Sequence, residues 1–379
     1  MHFPELRLTH FRNYAALTAH FSVGINVITG NNGEGKTNLL EAIHYLSMTR
    51  GWHSKTEKYA LQEDEQYFIL EGILQDGDIR HNVQCNYLPP KGKKIVVDKR
   101  PLQKMSDHIG RIPSVAIMPS DTQLIDGGPS VRRKFMDSLI CQYSHEYLQQ
   151  LILYDHTLMQ RNALLTLMGE RRRWDPEQLQ LWSQQLVRPG IFILEMRKQF
   201  LAKFWPVFLE YFKAIVSDRE EPKITLETQF RENTPAEWQS RFQADEERDR
   251  YAQRTGSGIH KDDLVLQIDG QGVKNYGSQG QQKTFVIAMK MAQYELLGKE
   301  KGLAPLLLLD DIFDKLDVNR LRAIARMLDE RVQGQAFITD TSLDRCKMVF
   351  SEVKNREIQY FYISGAAIHP VVDNGNAKK

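Results

Sequence analysis

The sequence predicts an α/β fold in two segments separated by a helical insertion, and three observations carry that prediction. Residues 1–120 read mostly as short β-rich stretches around one glycine-rich loop. Residues 121–254 change to helical spacing with many charges and few strand formers. From Leu264 the strand pattern returns, and the apolar run 306–309 ends in Asp310-Asp311. Neither flank has enough parallel strands to complete a sheet, so the two are expected to pack as one unit. The expected parts are therefore 1–120, a helical insertion at 121–254, and 255–379.

In chain order, strands are expected at 6–8, 23–28, 67–74, 79–86, 95–97 and 115–118. The turn residues Asp76-Gly77-Asp78 and Pro89-Pro90-Lys91-Gly92 separate some of them. Between strand 23–28 and a helix with Leu39, Leu40, Ile43 and Leu46 on one face lies Gly30-Asn31-Asn32-Gly33-Glu34-Gly35-Lys36-Thr37. This fits G-x-x-x-x-G-K-[ST] in a strand–loop–helix setting. Glycines let the backbone curl its N–H groups toward phosphate oxygens, and the helix N-terminus adds partial positive charge. Lys36 would then reach the β- and γ-phosphates, and the Thr37 hydroxyl would hold Mg²⁺.

Helices are expected at 131–144, 145–168, 176–217 and 235–253. Pro176 and Pro235 suit first turns, and Arg171, Arg172 and Arg173 suit a helix end. Strands follow at 264–268, 306–309, 336–339 and 360–363, with helices at 281–297 and 318–332. The run ending in Asp310-Asp311 describes a buried strand that delivers carboxylates at its C-terminal end, where open α/β sheets bind ligands. Asp310 suits a Mg²⁺–triphosphate as a hard oxygen ligand. Strand alternation would turn Asp311 elsewhere, where it could orient or deprotonate a water. Tyr276-Gly277-Ser278-Gln279-Gly280-Gln281-Gln282-Lys283 opens the next helix. Ser278 can cap it, and Gly280 allows an anion to approach.

Composition narrows the classes. The chain has 379 residues, 41% of them hydrophobic, a net charge of +2 and three cysteines. That length points to more than one core. Cys85, Cys141 and Cys346 are far apart, as expected of reduced cytoplasmic thiols rather than a disulfide frame. No apolar run of about 18 residues suits a membrane span, and the N-terminus lacks a secretion signal. The near-neutral charge means that nucleic acid, if bound, must meet local patches. Lys91, Lys93, Lys94, Lys99 and Arg100 form one such stretch, and Arg132, Arg133 and Lys134 another.

Together these elements resemble ABC-type ATPases, and within their SMC-like branch the RecF family of bacterial recombination-repair proteins, over nearly the whole chain. Leu6 to Tyr14, including Arg12 and Asn13, looks like the family's first strand and adenine-side residues. The loop 30–37 followed by Asn38 is similar to its Walker A. Met118-Pro119-Ser120-Asp121 with 127–137 resembles the entry into its helical arm, and Gly258-Ile259-His260-Lys261-Asp262-Asp263 its G-P-H-R-D-D block. Residues 278–282, including Gly280 and Gln281, look like the signature motif. Asp310-Asp311 with Leu316-Asp317 looks like Walker B and the D-loop. The chain departs from the family at Ile259, Lys261 and 313–317. Ile338-Thr339-Asp340-Thr341 stands where many ABC ATPases carry a switch histidine.

The resemblance implies an ABC-type P-loop ATPase head without a long coiled coil. It further implies Mg²⁺ and ATP as cofactors, an ATP-dependent homodimer with Ser278 acting across it, and weak, switch-like turnover with Lys36 and Asp311 as catalytic residues. Implied partners are double-stranded and gapped DNA and RecR in the RecO pathway, with help in loading recombinase onto single-stranded gaps. A transporter-type ABC subunit shares the three elements but would carry a shorter helical subdomain. A nuclease-linked ATPase needs a further metal cluster, for which His260, Asp262 and Asp263 are the local candidate. A passive nucleotide-binding adaptor would not need Asp311.

Overall fold

Alternating burial along the first strands builds one face of the core. The computed structural model describes residues 1–52, 56–216, 220–313 and 318–371; Leu316 and Asp317 of the expected D-loop lie outside them. Residues Met1–Asp121 with Ile287–Lys379 form one compact unit, and Thr122–Val286 another.

In the first unit, His2–Phe11 buries Phe3, Leu6, Leu8 and Phe11. It sits in a six-stranded antiparallel sheet ordered Tyr14–His20, His2–Phe11, Phe68–Asp76, Ile79–Leu88, Gly92–Val97 and Arg100–Pro101. A second sheet runs Ala367–Pro370, Ile358–Ser364, Ile25–Thr29, Ala336–Asp340, Leu306–Asp310 and Ser114–Ile117. Its strands are parallel except for the edge strand Ala367–Pro370. Every residue of Ile25–Thr29, Leu306–Asp310 and Ala336–Asp340 is buried, as parallel strands covered on both faces require.

Helix Lys36–Met48 touches strands of both sheets. Its Leu39, Leu40, Ile43 and Leu46 share a core with Phe3, Leu8 and Leu70 of the first sheet and Leu306, Leu308 and Phe337 of the second. Ala42 and Tyr45 are buried as well, so more than one face is apolar. This double burial fixes the helix, and with it the loop at its N-terminus.

The second unit is built on helices Pro129–Tyr143, His145–Arg171 and Pro176–Ile215. Among the described residues no helix exceeds the 40 residues of Pro176–Ile215. Pro176 and Pro235 occupy first turns behind Asp175 and Thr234, which accept from the amides of Gln178 and Glu237. Arg171 ends its helix, and Arg172 caps it in the left-handed region. The helix expected at 235–253 is instead two, Pro235–Ala244 and Glu246–Ala252, broken at Asp245 (φ −90°, ψ 0°). Strand Asp263–Ile268 pairs antiparallel with Pro222–Glu227, a strand not among those expected from sequence. Residues 255–286 fall in the same compact unit as the helical insertion.

A buried ion network ties this unit together. Arg197, 1% exposed, binds Asp137 at 3.0 Å and Asp262 at 2.9 Å and donates to the Ile259 carbonyl at 2.8 Å. Burial alone would lower its pKa, but Asp137, Tyr147 and Asp262 outweigh that and raise it. Arg197→Ala would strand two carboxylates, Asp262 among them with no exposure. A loss of about 3–5 kcal/mol in stability is expected. Denaturant unfolding measures it; a loss below about 1 kcal/mol would contradict the network's role.

Candidate nucleotide site

The C-terminal edge of the parallel sheet gathers most of the expected site residues of the first unit. Gly30, Gly33 and Gly35 have φ of 154°, 86° and 106°. A Cβ on Gly30 would stand 2.5 Å from the Ile363 carbonyl oxygen, and one on Gly35 2.5 Å from Asn13 Nδ2. Only glycine fits there. The loop is braced from outside. Asn13 donates to the Glu34 carbonyl at 3.0 Å and accepts from Asn38 Nδ2 at 2.8 Å. The Tyr14 hydroxyl donates to the Gly35 carbonyl at 3.0 Å; burial raises the phenol's pKa, with Glu34 adding to the effect, so it keeps its proton. Glu34 in turn accepts from the Gly365 amide at 2.6 Å. Asn31 and Asn32 are exposed in the loop.

Lys36 is buried and donates to the carbonyls of Gly30 at 2.7 Å and Asn31 at 2.8 Å. Burial lowers its pKa, against the pull of Asp311, Asp310, Asp340 and Glu34. Thr37 Oγ1 donates toward both carboxylate oxygens of Asp310, at 2.9 and 3.0 Å, and Thr339 Oγ1 reaches Oδ1 at 2.7 Å. A hydroxyl and a carboxylate converging beside the loop are the hard oxygen donors that suit Mg²⁺.

The strand ends at Asp310, and Asp311 enters the left-handed region at φ 45°. Its amide is held by Thr339, through O at 3.2 Å and Oγ1 at 3.0 Å. This turn sets the backbone of Asp311, and both acids act on the charge of Lys36.

Arg12 also takes positive φ, 56°, and its guanidinium binds Glu41 at 2.9–3.0 Å and the Tyr59 carbonyl at 2.6 Å. Glu41 is fully buried and also accepts from the Trp52 amide at 3.0 Å. Sequence reasoning passed over Glu41, a lone acid inside the apolar stretch 39–43. It also gave Tyr14 and Thr339 no part in the loop.

Residues 2–356 match the RecF/RecN/SMC N terminal domain family. The DNA replication and repair protein RecF of Cytophaga hutchinsonii is 38% identical over 96% of this chain and 95% of its own. The same-named protein of Flavobacterium johnsoniae is 39% identical over 92% of this chain and 96% of its own. The chain belongs to the RecF family. A solved structure of the recombination mediator protein RecF with ATP, of the RecFOR pathway, superposes with a TM-score of 0.87 at 29% identity, covering 98% of both chains. An Smc head domain of Pyrococcus furiosus shares the fold, at a TM-score of 0.55 and 17% identity.

Other family-like segments have defined environments in the second unit. Ser278 is exposed and forms a reciprocal cap with Gln281: its Oγ accepts from the Gln281 amide at 3.2 Å, and Gln281 Oε1 accepts from its amide at 2.7 Å. Gly280 lies in the first turn of Gln279–Lys301.

The block 258–263 is a packing junction. His260 Nε2 carries the proton and donates to the Thr255 carbonyl at 3.1 Å, so Nδ1 accepts from the Tyr154 hydroxyl at 3.0 Å. Burial takes the ring's pKa down to about 4. Asp262 is bound by Arg197, and Asp263 by Arg132 at 2.6 and 2.8 Å. Among the described residues no group of three or more His, Cys, Asp or Glu is placed to hold a metal ion.

In the stretch 132–134, Arg132 pairs with Asp263 and Arg133 donates to the Asp262 carbonyl at 2.6 Å, so both brace the junction, while Lys134 is exposed. In the other stretch Lys93 pairs with Glu57, while Lys91, Lys94, Lys99 and Arg100 remain exposed. No helix among the described residues is long and apolar enough to cross a membrane.

Proposed function

We propose that the chain is an ATP-gated DNA-binding switch of recombinational repair and replication restart, working in the cytoplasm. The convergence of Lys36, Thr37 and Asp310 on a braced glycine loop carries this reading. In this reading 1–120 with 255–379 would serve as the ATPase head and 121–254 as the helical insertion. The loop amides from Gly30 to Gly35, with Asn38 and the Arg12–Asn13 side, would cradle the nucleotide. Lys36 would neutralise the β- and γ-phosphates. Thr37 and Asp310 would hold Mg²⁺, which when bound would screen the triphosphate's charge.

Ser278, Gly280 and Gln281 would meet the γ-phosphate bound by a second copy, so that ATP becomes part of the dimer interface. The exposure of Ser278 supports this. Asp311 would position the attacking water. Its side chain is one methylene shorter than glutamate and hangs on a constrained turn, which favours slow, DNA-dependent turnover suited to a switch. Contacts to duplex or gapped DNA would be made to backbone and shape. RecR, in the RecO pathway, is the proposed protein partner, with recombinase loading on gaps as the outcome.

Light scattering tests the central step. The mass is expected to double on adding ATP, more completely with gapped duplex. A mass that stays at one chain under saturating ATP, with or without DNA, would refute the proposal.

A further inference from the structure

One ion pair at the ligand edge of the parallel sheet has no part in the roles above. Asp340 closes strand Ala336–Asp340 and lies in register with Thr29, the residue before Gly30. It is fully buried. Its carboxylate accepts from the Ser342 amide at 2.7 Å, from Arg345 Nε at 3.1 Å and from Arg345 Nη2 at 2.7 and 2.9 Å. Ser342 caps helix Leu343–Phe350 by accepting from the Arg345 amide at 3.2 Å. Turn, cap and ion pair thus hold one guanidinium in one orientation.

That grip uses the Nε and Nη2 edge of the fork. Nη1, with two N–H groups, makes no hydrogen bond among the described residues. The Arg345 side chain keeps 29% of its surface exposed. Asp311 draws on Arg345 as it does on Lys36, so both cations lie in the field of the same acids. Stability alone does not call for this arrangement, since a buried ion pair is often matched by apolar packing. A pre-aimed, always charged fork is what a phosphoryl oxygen needs.

We propose that Arg345 contacts the γ-phosphate of ATP from within the same chain, with Asp340 as the buried residue that positions it. This rests on the reading of the site as an ATP site and adds to it a residue that distinguishes ATP from ADP.

The test uses the full chain and its Arg345→Ala, Arg345→Lys and Asp340→Asn variants. ATP and ADP affinities, single-turnover hydrolysis and thermal melting are measured for each. Arg345→Ala is expected to weaken ATP about 10- to 100-fold, the range of a charge-assisted hydrogen bond, and to leave ADP within about 2-fold. Hydrolysis should fall with ATP affinity and recover in part when guanidinium ion is added. Arg345→Lys should lie between, because an ammonium lacks the fork. Asp340→Asn should lose ATP selectivity with Arg345 still present.

Arg345→Ala leaves a buried carboxylate unpaired, so the double variant Asp340→Asn, Arg345→Ala serves as a second probe and should show the same ATP-selective loss. Equal losses for ATP and ADP, or no change in either, would overturn the role. If the unsubstituted chain bound no ATP, the site reading would fail and this proposal with it.

Discussion

Lys36→Ala is expected to cut ATP turnover by about 100-fold or more while leaving the fold intact. In this structure the Lys36 ammonium rests on the carbonyls of Gly30 and Asn31 at 2.7 and 2.8 Å. Its surroundings supply four carboxylates, Asp311, Asp310, Asp340 and Glu34. A triphosphate entering without the ammonium would face those acids with its charge unanswered by the loop. The stability cost should be small, because removing Lys36 also removes a buried cation whose pKa burial has already lowered. Single-turnover hydrolysis read beside thermal melting separates the two effects. Turnover within a few-fold of the unsubstituted chain would show that Lys36 does not serve the phosphates.

The phosphate loop was legible because its chemistry is local. Gly30, Gly35, Lys36 and Thr37 fall within eight residues, and each requirement leaves its own residue type. Asp310 was legible because a buried parallel strand reads as an unbroken apolar run ending in an acid. The braces were not. Tyr14 reaches Gly35 across 21 positions, and Thr339 reaches Asp310 across 29. Nothing in a tyrosine or a threonine marks the backbone group it will meet.

Charge partners hide in the same way. Arg132 and Arg133 meet Asp263 and the Asp262 carbonyl about 130 positions away, and no local pattern marks those contacts. Strand Pro222–Glu227 was missed because its alternation covers only Ile224 and Leu226, and its partner strand was assigned elsewhere.

Ser278→Asp is expected to abolish ATP-dependent pairing while sparing ATP binding by the single chain. The choice of aspartate follows from the cap. Ser278 Oγ accepts from the Gln281 amide, so alanine would remove a helix cap, a loss of about 1 kcal/mol, and blur the result. Aspartate keeps an acceptor at that position, and its charge suits a helix N-terminus. The same charge would oppose a γ-phosphate presented by a second copy, a repulsion of several kcal/mol, or at least about a 100-fold loss in dimer affinity.

Mixing gives the sharper measurement. Chains carrying Lys36→Ala and chains carrying Ser278→Asp should each be inactive alone. In a mixed dimer, one site pairs an intact Lys36 with an intact Ser278 from the other chain. Hydrolysis should then return to a fraction of the unsubstituted rate, and scattering should show the doubled mass. If the mixture stays inactive and Ser278→Asp weakens ATP binding to the single chain, Ser278 serves its own chain's nucleotide and ATP does not join two copies.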